Sequence, residues 1–492
     1  LFSYNGKPFH NGYIEVTTQG KELCIDAHVC QGLSFEMAPE YALRAKACDN
    51  VLNTKVNYDN HSKKLPVKGF LDAETQFGKN EHGMTSINMN VKPSHIMLGD
   101  TRWDVISSNI NYVKNHLSVD NFTVKHDNQH IIVNGKASPS PEDSIVADLK
   151  DVDVAYILNL VNFHSVDFAG KATGKAIVKS LFNQPDAYAK LDINDFLFEN
   201  GPLGVLHAFV NYNKVDEQID IKAVADEDKS NQTIIDGYVS PKRNYIDLGI
   251  TAVGTNMKFM ESFCGSFMDN IEARASGKVN VVGDLSHINL VGDIEATGKM
   301  HMTQLNTEYH FEKLKAHAIP DDILLRNDTI YDRNGHIAIV DGGIHHKHLT
   351  KLSYDLDLKA HNFLGFDTHE FGDNTFYGTV YATGNVGIHG KSGETIIDID
   401  ASPDPGSIFV YNVASPDAIS DKSFIHWNDA TPEWEKPFSF EQQAKKNKDD
   451  NSISSDMRIN FLVNTNPNLT LKLMMDEQTG DYITLNGNGV VR

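Results

Sequence analysis

Apolar and polar residues alternate along most of this chain. Ile219-Asp220-Ile221-Lys222-Ala223, Leu248-Gly249-Ile250-Thr251-Ala252, Leu356-Asp357-Leu358-Lys359-Ala360 and Ile397-Asp398-Ile399-Asp400-Ala401 each keep a strict two-residue period. That period predicts strands with one apolar and one wet face. Parallel α/β sheets are covered on both faces and need apolar runs, so the pattern predicts antiparallel meanders. Turn signals punctuate it: Asn5-Gly6, Asn11-Gly12, Asn134-Gly135, Asn200-Gly201, Asp236-Gly237 and Asn334-Gly335. From Gly174 to Gly277 the pattern gives strands near 166–179, 186–194, 203–213, 217–225, 231–239 and 244–253. Residues 256–267 then break the alternation with Met257, Phe259, Met260 and Phe263, which fits a short helix or crossover loop. Residues 153–164 and 362–373 hold the equivalent places.

The pattern itself recurs. Ala172-Thr173-Gly174, Ala275-Ser276-Gly277 and Ala382-Thr383-Gly384 are close copies, with looser ones at Gly69 and Gly487, and the gaps between the glycines are 105, 103, 107 and 103 residues. A second marker, an alternating strand centred on Ala45, Leu149, Ile250, Leu358 and Phe461, keeps step with gaps of 104, 101, 108 and 103. Two markers in phase predict a tandem array. Its units are 1–68 (partial), 69–173, 174–276, 277–383 and 384–492, the last carrying an inserted loop at 414–456. In that loop Trp427 and Trp434 read as staples to the sheet, and the polar run at 442–451 reads as disordered.

Composition narrows the function classes. The 492 residues carry a net charge of −22, which opposes binding to nucleic acid or to anionic lipid heads by charge alone. No apolar run reaches the length of a membrane span. The first residue is Leu1, so the chain is expected to be a piece of something longer, with any anchor upstream. Cys24, Cys30, Cys48 and Cys264 form no CxxC pair; disulfides and free thiols both stay open.

No catalytic constellation emerges, and the chain is expected to be no enzyme, without cofactor or metal. His345, His346, Lys347 and His348 form a short His-rich tract, but on a strand only His346 and His348 share a face, too few for a metal site. The pairs Asp355/Asp357 and Asp398/Asp400 fall on wet strand faces, where carboxylates are ordinary. Gly378, Gly384, Gly387 and Gly390 are spaced for bends and bulges, not for a phosphate.

The apolar faces carry the functional expectation. Strands with one apolar face need it covered. Two sheets could cover each other in a sandwich, whereas a single sheet curled along its length would offer a trough that acyl chains fill. About six strands per unit, spaced about 4.8 Å apart, give it a length on the order of 130 Å over nearly five units. The lining positions expected from the alternation are Ile177, Leu191, Ile193, Ile219, Ile221, Leu248, Ile250, Val279, Val281, Leu356, Leu358, Val386, Ile388, Ile397, Ile399 and Phe461. Asp220, Lys222, Asp357, Lys359, Asp398 and Asp400 should face water.

At its repeats the chain resembles the TamB family, within the AsmA-like envelope proteins of diderm bacteria. The stretch FYGTVYATGNVGIHGKSGETIIDIDASPDPGSIF, from Phe376, looks like the family's run upstream of its C-terminal module. The tail from Met457 looks like the start of that module, with Gly480-Asp481 and Gly487-Asn488-Gly489 matching its Gly-Asp and Gly-x-Gly pattern. The resemblance implies an elongated, incurved β-groove in the periplasm that moves phospholipid between inner and outer membrane. It implies as partners phospholipid, an outer-membrane barrel of the Omp85/TamA type through the rest of the C-terminal module, and the inner membrane through an N-terminal anchor. A scaffold for assembling outer-membrane barrels is the alternative, and a secreted polysaccharide-binding solenoid a more distant one.

Overall fold

The computed structural model describes residues 2–4, 7–32, 39–62, 66–81, 83–160, 167–183, 185–264, 268–285, 287–347, 350–371, 375–391, 394–413, 456–476 and 479–491. Nearly all of them lie in strands. The helical pieces are Val154–Leu160, the 3-10 turn Lys258–Met260 and Glu261–Cys264. The chain is therefore all-β and mostly antiparallel, and it divides into two compact units, Leu1–Leu248 and Gly249–Arg492.

The first unit is an antiparallel meander in which strand after strand pairs with the next, from Lys7–Gln19 with Glu22–Gln31 to Gln218–Asp228 with Asn231–Ser240. One strand is bent: its halves Thr101–Val105 and Ser108–Val113 both pair with Thr85–Leu98 on one side and His116–His126 on the other. The strands Phe168–Lys179, Asp186–Phe198, Gly201–Asn213, Gln218–Asp228, Asn231–Ser240 and Tyr245–Asn256 lie where the alternation places them, each within a few residues. Directly opposed residues share a face. Leu149, Gly174, Leu191, Ala208, Ala223 and Ile235 are successive partners, and so are Val152, Ala172, Ile193, Leu206, Ala225 and Thr233.

The second unit repeats the scheme from Met268–Asp284 to Phe376–Lys391. One row of partners runs Gly277, Ile294, Ala316, Leu325, Gly342, Leu356, Ile388 and Ile397. The next strand is again bent, into Glu394–Pro403 and Ser407–Asn412, and its far neighbours are parallel: Asp456–Thr465 and Leu469–Asp476. Parallel neighbours cannot be joined by a tight turn and need a connection of a dozen or more residues. Residues 414–455 supply it and lie outside the described residues, as do Trp427 and Trp434.

Two of the three expected crossovers contain the helical pieces. The third does not: the strand Thr350–Thr368 runs on through most of 362–373. Its ladder is interrupted between Ala360 and Phe363, where Asn362 takes a φ of 49°. The extra bulge residue shifts the phase of the alternation. Phe363 and Leu364, adjacent in sequence, are consequently both buried, and in the sequence that pattern reads as a break.

The recurring glycines are not all alike. At Gly174 (φ 152°) an added Cβ would lie 2.1 Å from Lys190 O, and at Gly277 (φ 149°) it would lie 2.2 Å from Asp293 O. At Gly69 the nearest atom, on Ile96, is 3.9 Å away. Gly174→Ala is expected to destabilise the first unit by about 2 kcal/mol or more, because both backbone conformation and contact forbid it. Gly69→Ala should be neutral, or stabilising by up to about 1 kcal/mol. Chemical denaturation of both variants measures the contrast, and an equal loss at the two sites would contradict it.

Candidate functional site

Each unit presents one apolar face, built by register. In the second unit Leu356, Ile388 and Ile397 are successive partners, as are Leu358, Val386 and Ile399; backbone pairing carries the latter row to position 461. Val279 and Val281 share that face, alternating with Gly277 on one strand. In the first unit Leu191 and Ile193 share a face with Ile219 and Ile221, linked through Ala189, Val210 and Tyr212. Leu248 stands against Gly237, the partner of Ile221. Ile250 lies two residues beyond Leu248 in the same strand. Ile193, Val279 and Ile397 are buried, and the other described members are half-buried. On the opposite face Lys222, Asp357, Lys359, Asp398 and Asp400 are exposed and Asp220 is half-buried.

Ile177 does not belong to the apolar face. Its partners are Val146 and Tyr188, whereas Gly174, Ala176 and Val178 face Leu191, Ala189 and Ala187. Small residues occupy the inner positions of this strand, so the bulkier Ile177 marks the wrong phase.

One margin of the face is closed in each unit. In the second unit, strands Thr307–Ile319 and Thr350–Thr368 are three spacings apart, about 14 Å on a flat sheet. Yet the Asp367 amide donates to Leu305 O at 3.0 Å, and the Tyr309 hydroxyl donates to Leu364 O at 2.9 Å. The Tyr309 and Phe363 rings stack at 4.7 Å. The sheet has curled until its strands meet at that end. In the first unit Val154 packs with Ala172, Ile193 and Leu206, and the Tyr156 hydroxyl lies over Gly99, 2.8 Å from where a Cβ would be.

A buried carboxylate holds the curl. Asp332 is 0 % exposed; its Oδ1 accepts from the Asn334 and His336 amides at 2.8 and 3.0 Å, and its Oδ2 from the Leu364 amide at 2.9 Å. Burial by itself raises its pKa, but the backbone amides of Leu364, His336 and Asn334 outweigh that and hold the carboxyl below the usual range. Asp367, also buried, accepts from Thr379 Oγ1 at 2.6 Å and pairs with Arg333. Burial pushes the Tyr309 phenol far up, so it stays a donor.

Four Asp–His pairs recur across the strands. Asp192–His207, Asp269–His301, Asp293–His317 and Asp322–His345 are directly opposed cross-strand partners, each 2.6 Å apart. His346 turns to the other face from His345, and His348 lies outside the described residues. Among the described residues no three His, Cys, Asp or Glu side chains stand together as a metal site would need. Cys24, Cys30, Cys48 and Cys264 are free thiols. An open hollow of about 320 Å³ over Glu40, Asn57, Asp59, Lys68, Phe70 and His95 lies on the polar face. Within it Glu40 bridges His61 and His28, and the His61 bond, with a further contribution from His28, holds its carboxyl below the usual range against the opposing effect of burial.

Alternation missed the closed margin. The buried Asp332 left only the weak signal of a polar Asp332-Arg333-Asn334-Gly335 turn. Compared with models of protein families, with curated proteins and with solved structures, the chain matches none.

Proposed function

We propose that the apolar face of each unit binds the acyl chains of phospholipid, and that the chain is a non-enzymatic groove protein that passes lipid through the periplasm between inner and outer membrane. The carrying observation is the register itself. It gathers half-buried Leu191, Ile221, Val386, Ile388 and Ile399 onto apolar faces instead of sealing them in a core. Each buried methylene gains about 0.8 kcal/mol, so covering such a face with even part of one acyl chain yields several kcal/mol. In this reading the partners are phospholipid, an outer-membrane barrel of the Omp85 type and the inner membrane, as in the TamB family; the net charge of −22 gives nucleic acid no place.

The test is mass spectrometry of an organic extract of the purified chain. Phospholipid retained in fixed proportion to protein is expected. An extract without lipid, from protein that also fails to take up lipid from vesicles, would sink the reading.

A further inference from the structure

The three copies of Ala-(Thr/Ser)-Gly share one geometry. Thr173 Oγ1 accepts a hydrogen bond from the Asp151 amide at 3.0 Å, Ser276 Oγ from the Gly254 amide at 3.0 Å, and Thr383 Oγ1 from the Asn362 amide at 2.9 Å. All three donors have positive φ, at 53°, 60° and 49°. Both threonines also donate, Thr173 to Asp151 Oδ1 at 3.2 Å and Thr383 to Asp404 Oδ2 at 2.6 Å. At Asp151 and Asn362 the ladder is interrupted, between Leu149 and Val152 and between Ala360 and Phe363, and the hydroxyl satisfies the amide that the bulge takes out of it.

Beyond each clipped amide the chain drops onto the apolar face. After Asp151, Val154 opens the helix that packs on Ala172 and Ile193. After Gly254, Met257 and Met260 pack against the cluster that holds Ala273 and Ala275. After Asn362, Phe363 stacks on Tyr309. Sequence, clipped positive-φ amide and plug recur together, although the plug is helical twice and a strand once.

We infer that Thr173, Ser276 and Thr383 are positioning residues that close one margin of the apolar face in each unit. The polar end of a bound amphiphile is thereby confined to the opposite margin, where the turn around Val215 lies in the first unit. The second half of this inference rests on the lipid reading; the first does not.

The clip is read through Cys264, which is 8 % exposed in the short helix Glu261–Cys264 that follows the clipped Gly254, with its thiol pKa pushed up to about 11 by burial. In the full chain, Ser276→Ala should raise alkylation of Cys264 by N-ethylmaleimide about fivefold to tenfold, followed peptide by peptide. Ser276→Thr, which keeps the hydroxyl, should leave it at the wild-type rate. Equal rates in all three proteins would overturn the clip.

The margin is read with a fluorophore on Val215→Cys or on Ser230→Cys, both in exposed turns at opposite ends of the strand Gln218–Asp228 and both in a chain whose native cysteines are replaced by serine. The probe is a vesicle of phosphatidylethanolamine and phosphatidylglycerol carrying a headgroup nitroxide. Once lipid is taken up and the vesicles are removed, quenching at position 215 alone is expected. Equal quenching, or quenching at 230 alone, overturns the margin assignment while leaving lipid binding standing. No lipid uptake at all overturns the lipid reading, and with it the margin assignment.

Discussion

Replacing Asp332 with alanine is expected to cost the second unit about 3–5 kcal/mol. The carboxylate is fully buried and serves three backbone amides and the His336 ring. Removing it strands the Leu364 amide beside a side chain that is only 1 % exposed, where water cannot readily replace the lost acceptor. Asp332→Asn keeps one acceptor oxygen and should lie between wild type and alanine. The pH dependence has a definite sign. The folded pKa is held below the ordinary value, so this stabilisation is fully present above about pH 4 and is lost as pH falls through the folded pKa. The gap in unfolding free energy between wild type and Asp332→Asn should therefore narrow on acidification below that point. Urea unfolding at neutral and acid pH measures it. Parity within about 0.5 kcal/mol at neutral pH would show that the curl does not depend on this group.

Ile388→Asp should abolish most lipid capture while leaving the fold intact. Ile388 is half-buried between Leu356 and Ile397. It is a better site than Leu358, which packs against the closed cluster around Tyr309 and Phe363, so that a charge there would unfold as well as block. A carboxylate placed in the path of an acyl chain costs a few kcal/mol when lipid covers it, which is about a hundredfold in affinity. Asn385→Asp puts the same charge on the exposed opposite face, beside Lys359 and Asp400, and should bind lipid like wild type. Photocrosslinking to a phospholipid with a diazirine in its acyl chain, with circular dichroism as the fold check, separates the two. Equal crosslinking would mean that lipid does not use this face, and loss of ellipticity in Ile388→Asp would mean that the residue belongs to a closed core.

How far the sequence carries can be seen at particular residues. Leu356, Leu358, Ile397 and Ile399 are legible because a two-residue period admits one phase. Ile177 and Val178 are adjacent apolar residues, so the period cannot choose between them; pairing of Gly174 with Leu191 decides, and that is a long-range fact. The Ala-(Thr/Ser)-Gly copies were visible as a repeat, but their use was not, because each hydroxyl acts on an amide 21 or 22 residues earlier. The amide that Asp332 accepts from Leu364 lies 32 residues away and exists only once the sheet has curled. Periodicity reports on single strands and says little about how a sheet bends.

The parallel pairing near the end of the second unit sets an order of assembly. Most strands of this unit meet a neighbour one short turn away, so their ladders can zip as local hairpins. Asn460 reaches Asp398 only across 62 residues. Closing that loop costs about 1.6 kcal/mol more entropy than closing one of about ten residues. Until the docking happens, the outer edge of Glu394–Pro403 is unpaired, and it carries alternating Ile397 and Ile399. The nascent chain therefore passes through a stage with a sticky rim, and chaperone demand should peak as residues 456–476 emerge.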